Sequence, residues 1–250
     1  MASDAAEAPA ETRAKGEMTV LEHLGELRAV LLQCAAAAAI TSTVAWFFSA
    51  QAVDFLVRPA ASATGGLVFL SPTGAFMLRF RTAIGVGLML AAPFIVWRAW
   101  SFVVPGLLPR ERRALLPIVV GSLVLFYAGA AFAYLVILPT TMTFLLAFGT
   151  ESLKPMISGE QYFGFALRLS LAFGAVFQLP LVVALLTWWE VLGPDFLQKH
   201  WRWGVVSVFV VSAILTPPDV ASQLLMAGPV LVLYLVAMVI AKMIGGRRRP

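Results

Sequence analysis

The chain has 250 residues, 60% of them hydrophobic and 12% charged, whereas an ordinary soluble domain is roughly a quarter charged. Several stretches are apolar all the way round and long enough to cross a hydrocarbon layer of about 30 Å, which excludes a soluble globular enzyme and makes lipid the main solvent. The net charge of +5 falls on short connections and ends, where it reads as membrane topology and contact with anionic headgroups rather than nucleic-acid binding.

In chain order, residues 1–17 mix Ala, Glu and Pro without apolar periodicity and predict a disordered arm, one that lacks the apolar centre of a signal peptide. Thr19 and Glu22 have capping-box spacing, so a helix begins there. Glu22, His23, Glu26 and Arg28 supply its polar positions, as on a segment lying at the membrane surface before it dives in. Ala29 to Ser49 is 21 residues without a charge and makes the first span. It contains Cys34, the single cysteine, so neither an intrachain disulfide nor a cysteine-rich metal site can be built.

Asp54 to Leu70, with Arg58, Pro59 and Gly65-Gly66, predicts an external loop containing a short interfacial piece. A second span fits between Arg79 or Arg81 and Arg98, the long arginines reaching toward headgroups. Val104 to Arg113 is turn-rich and basic. Ala114 to Thr150 has no charge in 37 residues, too many for one span. Pro139 is the natural break, giving a third helix over 114–138 and a second external loop from Pro139 to Gly159. Gln161 to Trp189 holds the fourth span, with Arg168 near its outer end, and Glu190 to Arg202 is again polar and turn-forming.

The last apolar part, Trp203 to Ala241, is interrupted at Thr216-Pro217-Pro218-Asp219 and predicts a tight helical hairpin. Its first arm is about 14 residues, so roughly 21 Å long at 1.5 Å per residue, and local bilayer thinning is expected around it. A re-entrant pair is the alternative. The expected architecture is an all-α polytopic membrane protein with six transmembrane helices, the last two short. It comprises an arm (1–17), a membrane domain (18–242) and a basic tail (243–250). One side holds Arg13, Lys15, Arg28, Arg98, Arg110, Arg112, Arg113, Lys199, Arg202, Lys242 and Arg247 to Arg249, against Arg58 and Lys154 on the other, with Arg79 and Arg81 ambiguous. That asymmetry places both termini in the cytoplasm.

No HExxH, GxSxG or Gly-rich phosphate loop is present, and both histidines, His23 and His200, lie on aqueous flanks, so no enzyme, cofactor or metal is implied. Glu26 and Glu111 are carboxylates on the otherwise cationic cytoplasmic side. Two readings stand: solvated charges paired with Arg28 and Arg112, or, if close in space, a receptor for a ligand with paired arginines, since a carboxylate accepts a guanidinium fork. Gln178, in mid-span before Pro180, is either a structural hydrogen bonder or a polar spot admitting water or substrate. Asp219 clusters with Thr216 and Gln223 at the hairpin tip, where it can cap the next helix. Arg168, Gln178 and Asp219 also motivate an alternative, a small-molecule secondary transporter, which predicts repeat symmetry and a substrate-sized midplane cavity.

Several motifs together resemble one family. These are His23-Leu-Gly-Glu26-Leu-Arg28, Phe102-x-x-Pro105-Gly-Leu-x-x-x-Glu111-Arg112, Phe132-Ala-Tyr134, Phe173-Gly-x-x-Phe-Gln178-Leu-Pro180 and Leu215-Thr-Pro-Pro-Asp219-Val-x-Ser-Gln223. In order and spacing they look like TatC over nearly everything after residue 18. The resemblance implies the receptor subunit of the twin-arginine translocase, which exports folded proteins across the bacterial inner membrane using the proton-motive force, without an enzymatic step. It places twin-arginine signal-peptide binding at Glu26, Arg28, Phe102 and Glu111. Docking of the single-span partners TatA and TatB falls at the last two helices, with Thr216 and Gln223 as polar contacts. It also implies self-association into a multimeric complex and marks Pro59 and Tyr134 as externally placed positions needed for function. Two departures stand out: Gln178 and Gly74 each replace a glutamate common in the family.

Overall fold

In the computed structural model, residues 20–64, 67–103, 115–147, 156–216 and 220–246 are described. Among them the chain is almost wholly helical, and the extended structure is a single bridge between Val68 and Ser158. The helices are α1 (Val20–Phe47), α2 (Ser49–Thr64), α3 (Gly74–Val103) and α4 (Leu115–Phe132). A π-turn (Ala133–Ile137) leads into α5 (Leu138–Leu146), followed by α6 (Gly159–Val176), α7 (Leu179–Trp188), α8 (Phe196–Lys199), α9 (Trp201–Leu215) and α10 (Val220–Gly246).

Five continuous segments are long and apolar enough to cross a membrane, namely His23–Phe47, Gly74–Phe102, Leu116–Leu146, Gly159–Trp188 and Ser222–Gly246. The sixth apolar helix, α9, has only 15 residues. Neighbours run antiparallel. His23 meets Phe102 and Trp46 meets Phe76 at opposite ends of the α1–α3 pair. Trp100 bonds Ser122, and Tyr127 bonds Met89, between α3 and α4. Gln223 of α10 reaches Phe209 of α9. The start of α1, the end of α3, the α7–α9 connection and the end of α10 therefore share one face, called here the terminal face. The α2 helix, Leu67 to Thr73 and the end of α9 lie at the opposite face.

The core is centred on α6, where Phe163, Leu169 and Phe173 are fully buried with Leu138 and Met226. Outward surfaces are apolar, as a lipid-facing bundle requires: Phe47 and Ile214 are each 76% exposed and Trp203 is 73% exposed. Apolar side chains gain nothing by leaving lipid for each other, so helices here associate through close packing and polar contacts. At Gly87 the backbone of α3 comes so near α1 that a Cβ would overlap the backbone of Ser42. Thr41 uses that approach to donate to the Gly87 carbonyl at 2.7 Å. Gly129 of α4 likewise sits against the carbonyl of Phe173 in α6.

Three expectations from sequence change. Pro139 does not end the third span: the Leu138 N–H donates to Ala133 O, five residues back, and the widened turn keeps the proline ring off the preceding backbone. The helix then runs to Leu146, so the second loop begins after it rather than at Pro139. The last helix is not short. Only α9 is, whereas α10 continues through Pro229 for 27 residues. Most of the segment expected as the first loop is the 16-residue helix α2. The arm, Glu111, Lys154 and Asp219 lie outside the described residues, as does the tail beyond Gly246.

Gly87→Ala should lower the unfolding midpoint in detergent by the equivalent of about 1–3 kcal/mol through overpacking against Ser42. Gly121→Ala, at a helical site where a Cβ meets nothing within 4 Å, should leave the midpoint unchanged or slightly higher.

Candidate functional site

The terminal face gathers part of the polar set expected from sequence. His23 and Glu26 are three residues apart on α1 and so share a side of it. The His23 ring stacks on Phe102 of α3 with centroids 4.5 Å apart and planes 22° from parallel. Glu26 is half-buried, and its Oε2 is shielded from solvent with no hydrogen-bond donor among the described residues. Arg98, one turn before Phe102, holds a buried Nε that is likewise unpaired among them. Arg28 is exposed. The result is a carboxylate acceptor and an aromatic platform held on two packed helices. Glu111 lies outside the described residues, so its relation to Glu26 is not seen. His23, taken from sequence as a flank residue, is part of this cluster, and its i, i+3 spacing to Glu26 was the available signal.

Gln178 does structural work. Its amide nitrogen donates to the Ser122 carbonyl of α4 at 2.9 Å, and the Ser122 hydroxyl accepts from Trp100 Nε1 of α3 at 2.7 Å. One serine thus joins three spans. Gln178 marks the break between α6 and α7, ahead of Pro180.

Thr216 and Gln223 meet the hairpin itself. Thr216 Oγ1 donates to Ser212 O at 2.9 Å, and Gln223 Nε2 donates to Phe209 O at 3.1 Å, tying α10 to α9. Each retains an acceptor oxygen in these contacts.

Pro59 and Tyr134 belong together. Pro59 lies in α2 and has no N–H, so the carbonyl four residues back, Phe55 O, loses its helical donor. Tyr134, in the π-turn, donates its hydroxyl to that carbonyl at 2.6 Å and stacks on the Phe55 ring at 5.0 Å. The guanidinium of Arg58 lies over the Phe55 ring, 5.7 Å from its centre. The same device recurs at Pro93, whose orphaned acceptor, Met89 O, receives the Tyr127 hydroxyl at 2.9 Å.

These features define a polytopic α-helical membrane protein with a cluster of polar and aromatic side chains at its terminal face. Over residues 22–229 the chain matches the family described as Sec-independent protein translocase protein (TatC). The Carboxydothermus hydrogenoformans Sec-independent protein translocase protein TatC is 41% identical over 91% of this chain and 94% of its own length. The Aquifex aeolicus protein of the same description is 36% identical over 90% and 95%. A crystal structure of the twin-arginine translocase receptor TatC superimposes with a TM-score of 0.83 at 35% identity, covering 89% of this chain and 99% of that one. A crystal structure of a twin-arginine translocase receptor TatC in DDM gives 0.82 at 36% identity, covering 88% of this chain and 100% of that one. The chain belongs to the TatC family. Family membership makes protein translocation its field and displaces the small-molecule transporter reading.

Gln178→Leu and Trp100→Phe should each lower the unfolding midpoint by the equivalent of about 1 kcal/mol. Because both act on Ser122, the double variant should depart from the sum of the two.

Proposed function

We propose that this protein is the signal-receptor subunit of a twin-arginine translocase, binding twin-arginine signal peptides of folded cargo at the terminal face. The observation that carries the reading is Glu26: a carboxylate with a shielded oxygen and no donor among the described residues. A buried acceptor left unpaired costs about 1–3 kcal/mol, which a guanidinium donor from a ligand recovers. The Phe102 ring, stacked with His23, offers the face on which an arginine plane can lie. Glu111 supplies the second carboxylate, and Arg28 completes the charged set. The solved structures that this chain resembles at 35% and 36% identity are described as twin-arginine translocase receptors, which supports the same role here.

In this reading the terminal face is cytoplasmic, all six apolar helices cross a bacterial inner membrane, and both termini lie in the cytoplasm. The excess of arginine and lysine on that face supports the orientation. The outward side of α9, exposed at Trp203 and Ile214, together with Thr216 and Gln223, receives the single-span partners TatA and TatB. Several copies assemble, and the proton-motive force drives transport without a catalytic step in this chain. Pro59 and Tyr134 act through the shape of the opposite face, which their shared carbonyl maintains.

Binding of a synthetic twin-arginine signal peptide to the detergent-solubilised protein, with a twin-lysine peptide for comparison, tests the proposal. Wild type should prefer the twin-arginine form, and a Glu26→Ala, Glu111→Ala double variant of unchanged thermal stability should bind on the order of tenfold more weakly or worse. Equal binding of both peptides, or a folded double variant that binds like wild type, would contradict the assignment.

A further inference from the structure

We propose that the groove between α3, α5, α6 and the end of α9 binds the phosphate headgroup of an anionic phospholipid, with Arg168 as its principal ligand. The groove has a volume of about 640 Å³ and is lined by Arg81, Arg168, Gln161 and Thr216 among apolar side chains that include Leu145 and Ile214. A second concavity of about 340 Å³, between α3 and α6, shares Arg81 and Arg168.

The charges on the groove do not balance. Arg81 is paired with Glu160, whose carboxylate sits 3.1 Å away in the first turn of α6. Arg168 spends its Nε on the Gly164 carbonyl of its own helix at 2.9 Å. Among the described residues no carboxylate lies within ion-pair distance of it, and the side chain is exposed. Among the described residues, two arginines and one glutamate leave one positive charge facing the groove.

The depth of that charge identifies the ligand. Arg168 is nine positions past Gly159, about 13 Å along a 30-residue span. In a bilayer of ordinary thickness that level lies inside the hydrocarbon, where an unpaired cation is costly. Yet Thr216, where the 15-residue helix α9 ends, lines the same groove as Arg168. A helix of about 22 Å cannot cross about 30 Å of hydrocarbon, so the bilayer beside it thins. The headgroup layer is thereby brought to the level of Arg168. A lipid phosphate there accepts a bidentate guanidinium bond, and its acyl chains continue over Leu145 and Ile214. A headgroup without its own cation neutralises the site, whereas a choline would add a second positive charge. The lipid would hold the thinned region in place beside the hairpin.

Native mass spectrometry of the delipidated full chain, re-exposed to phosphatidylglycerol or phosphatidylcholine, tests the assignment. Wild type should retain phosphatidylglycerol about fivefold over phosphatidylcholine, the effect of one cation at a lipid surface. Arg168→Gln should lose that preference, Arg168→Lys should keep most of it, and Arg79→Gln, on α3 outside the groove, should not change it. Undiminished preference in Arg168→Gln overturns the proposal. So does displacement of the lipid by equimolar glycerol phosphate, which would make the groove a site for free phosphate. Loss of preference in Arg168→Lys as well as Arg79→Gln would mean diffuse surface charge, also against it. If Arg168→Gln fails to fold, the lysine variant and the glycerol phosphate competition decide alone.

Discussion

A backbone carbonyl that loses its helical donor to a proline needs another donor, the more so where lipid excludes water, and this constraint organises the structure. Prolines within α2 and α3 each remove a donor, and a tyrosine from a different segment supplies the missing bond in both cases: Tyr134 to Phe55 O and Tyr127 to Met89 O. Pro139 is accommodated differently, by the π-turn that precedes it. At Pro59 and Pro93 a local fault in a helix is thus repaired by a tertiary contact, so there the break in the helix and the contact that holds it are parts of one interaction. Gln178, Ser122 and Trp100 extend the principle, joining α3, α4 and the α6–α7 break through one serine.

Polar residues in the spans divide into two kinds. Gln178 and the two tyrosines are tied into the fold, whereas the buried hydroxyls of Thr82, Thr141, Thr187 and Ser212 have no hydrogen-bond partner among the described residues. At the terminal face Glu26 keeps an unpaired oxygen and Arg98 an unpaired Nε among the described residues, and there the unpaired groups are charged. The proposed receptor role would use that unmet hydrogen-bonding capacity, which needs a rigid support. The close contact of α1 with α3 at Thr41 and Gly87 provides the support. Toward the opposite face Arg168 has no carboxylate partner among the described residues and is set beside the 15-residue helix α9.

Much of the fold was legible because long uncharged runs have no stable alternative to spanning helices in lipid. The first span, the fourth and the short α9 follow from that rule. Pro139 misled because a proline's local effect is readable from sequence while a compensating π-turn is not. The length of α10 was missed for a related reason, since shortness belongs to one arm of the hairpin and does not transfer to the other. In the site, the family resemblance named Glu26 and Phe102, but the stacking of His23 on Phe102 depends on the α1–α3 register. Pro59 and Tyr134 were named as separate positions, and only the fold shows that one carbonyl unites them. Glu111 and Asp219 lie beyond the described residues.

The most direct measurement of the organising constraint is a double-mutant cycle on Pro59 and Tyr134, read by equilibrium unfolding in detergent or bicelles. With Pro59 present, Tyr134→Phe should cost about 1 kcal/mol, because Phe55 O loses its donor. In a Pro59→Ala background the alanine N–H serves that carbonyl, and the same tyrosine change should cost only a few tenths of a kcal/mol. Equal costs in the two backgrounds would contradict the account, showing that the hydroxyl does not stand in for the missing backbone donor.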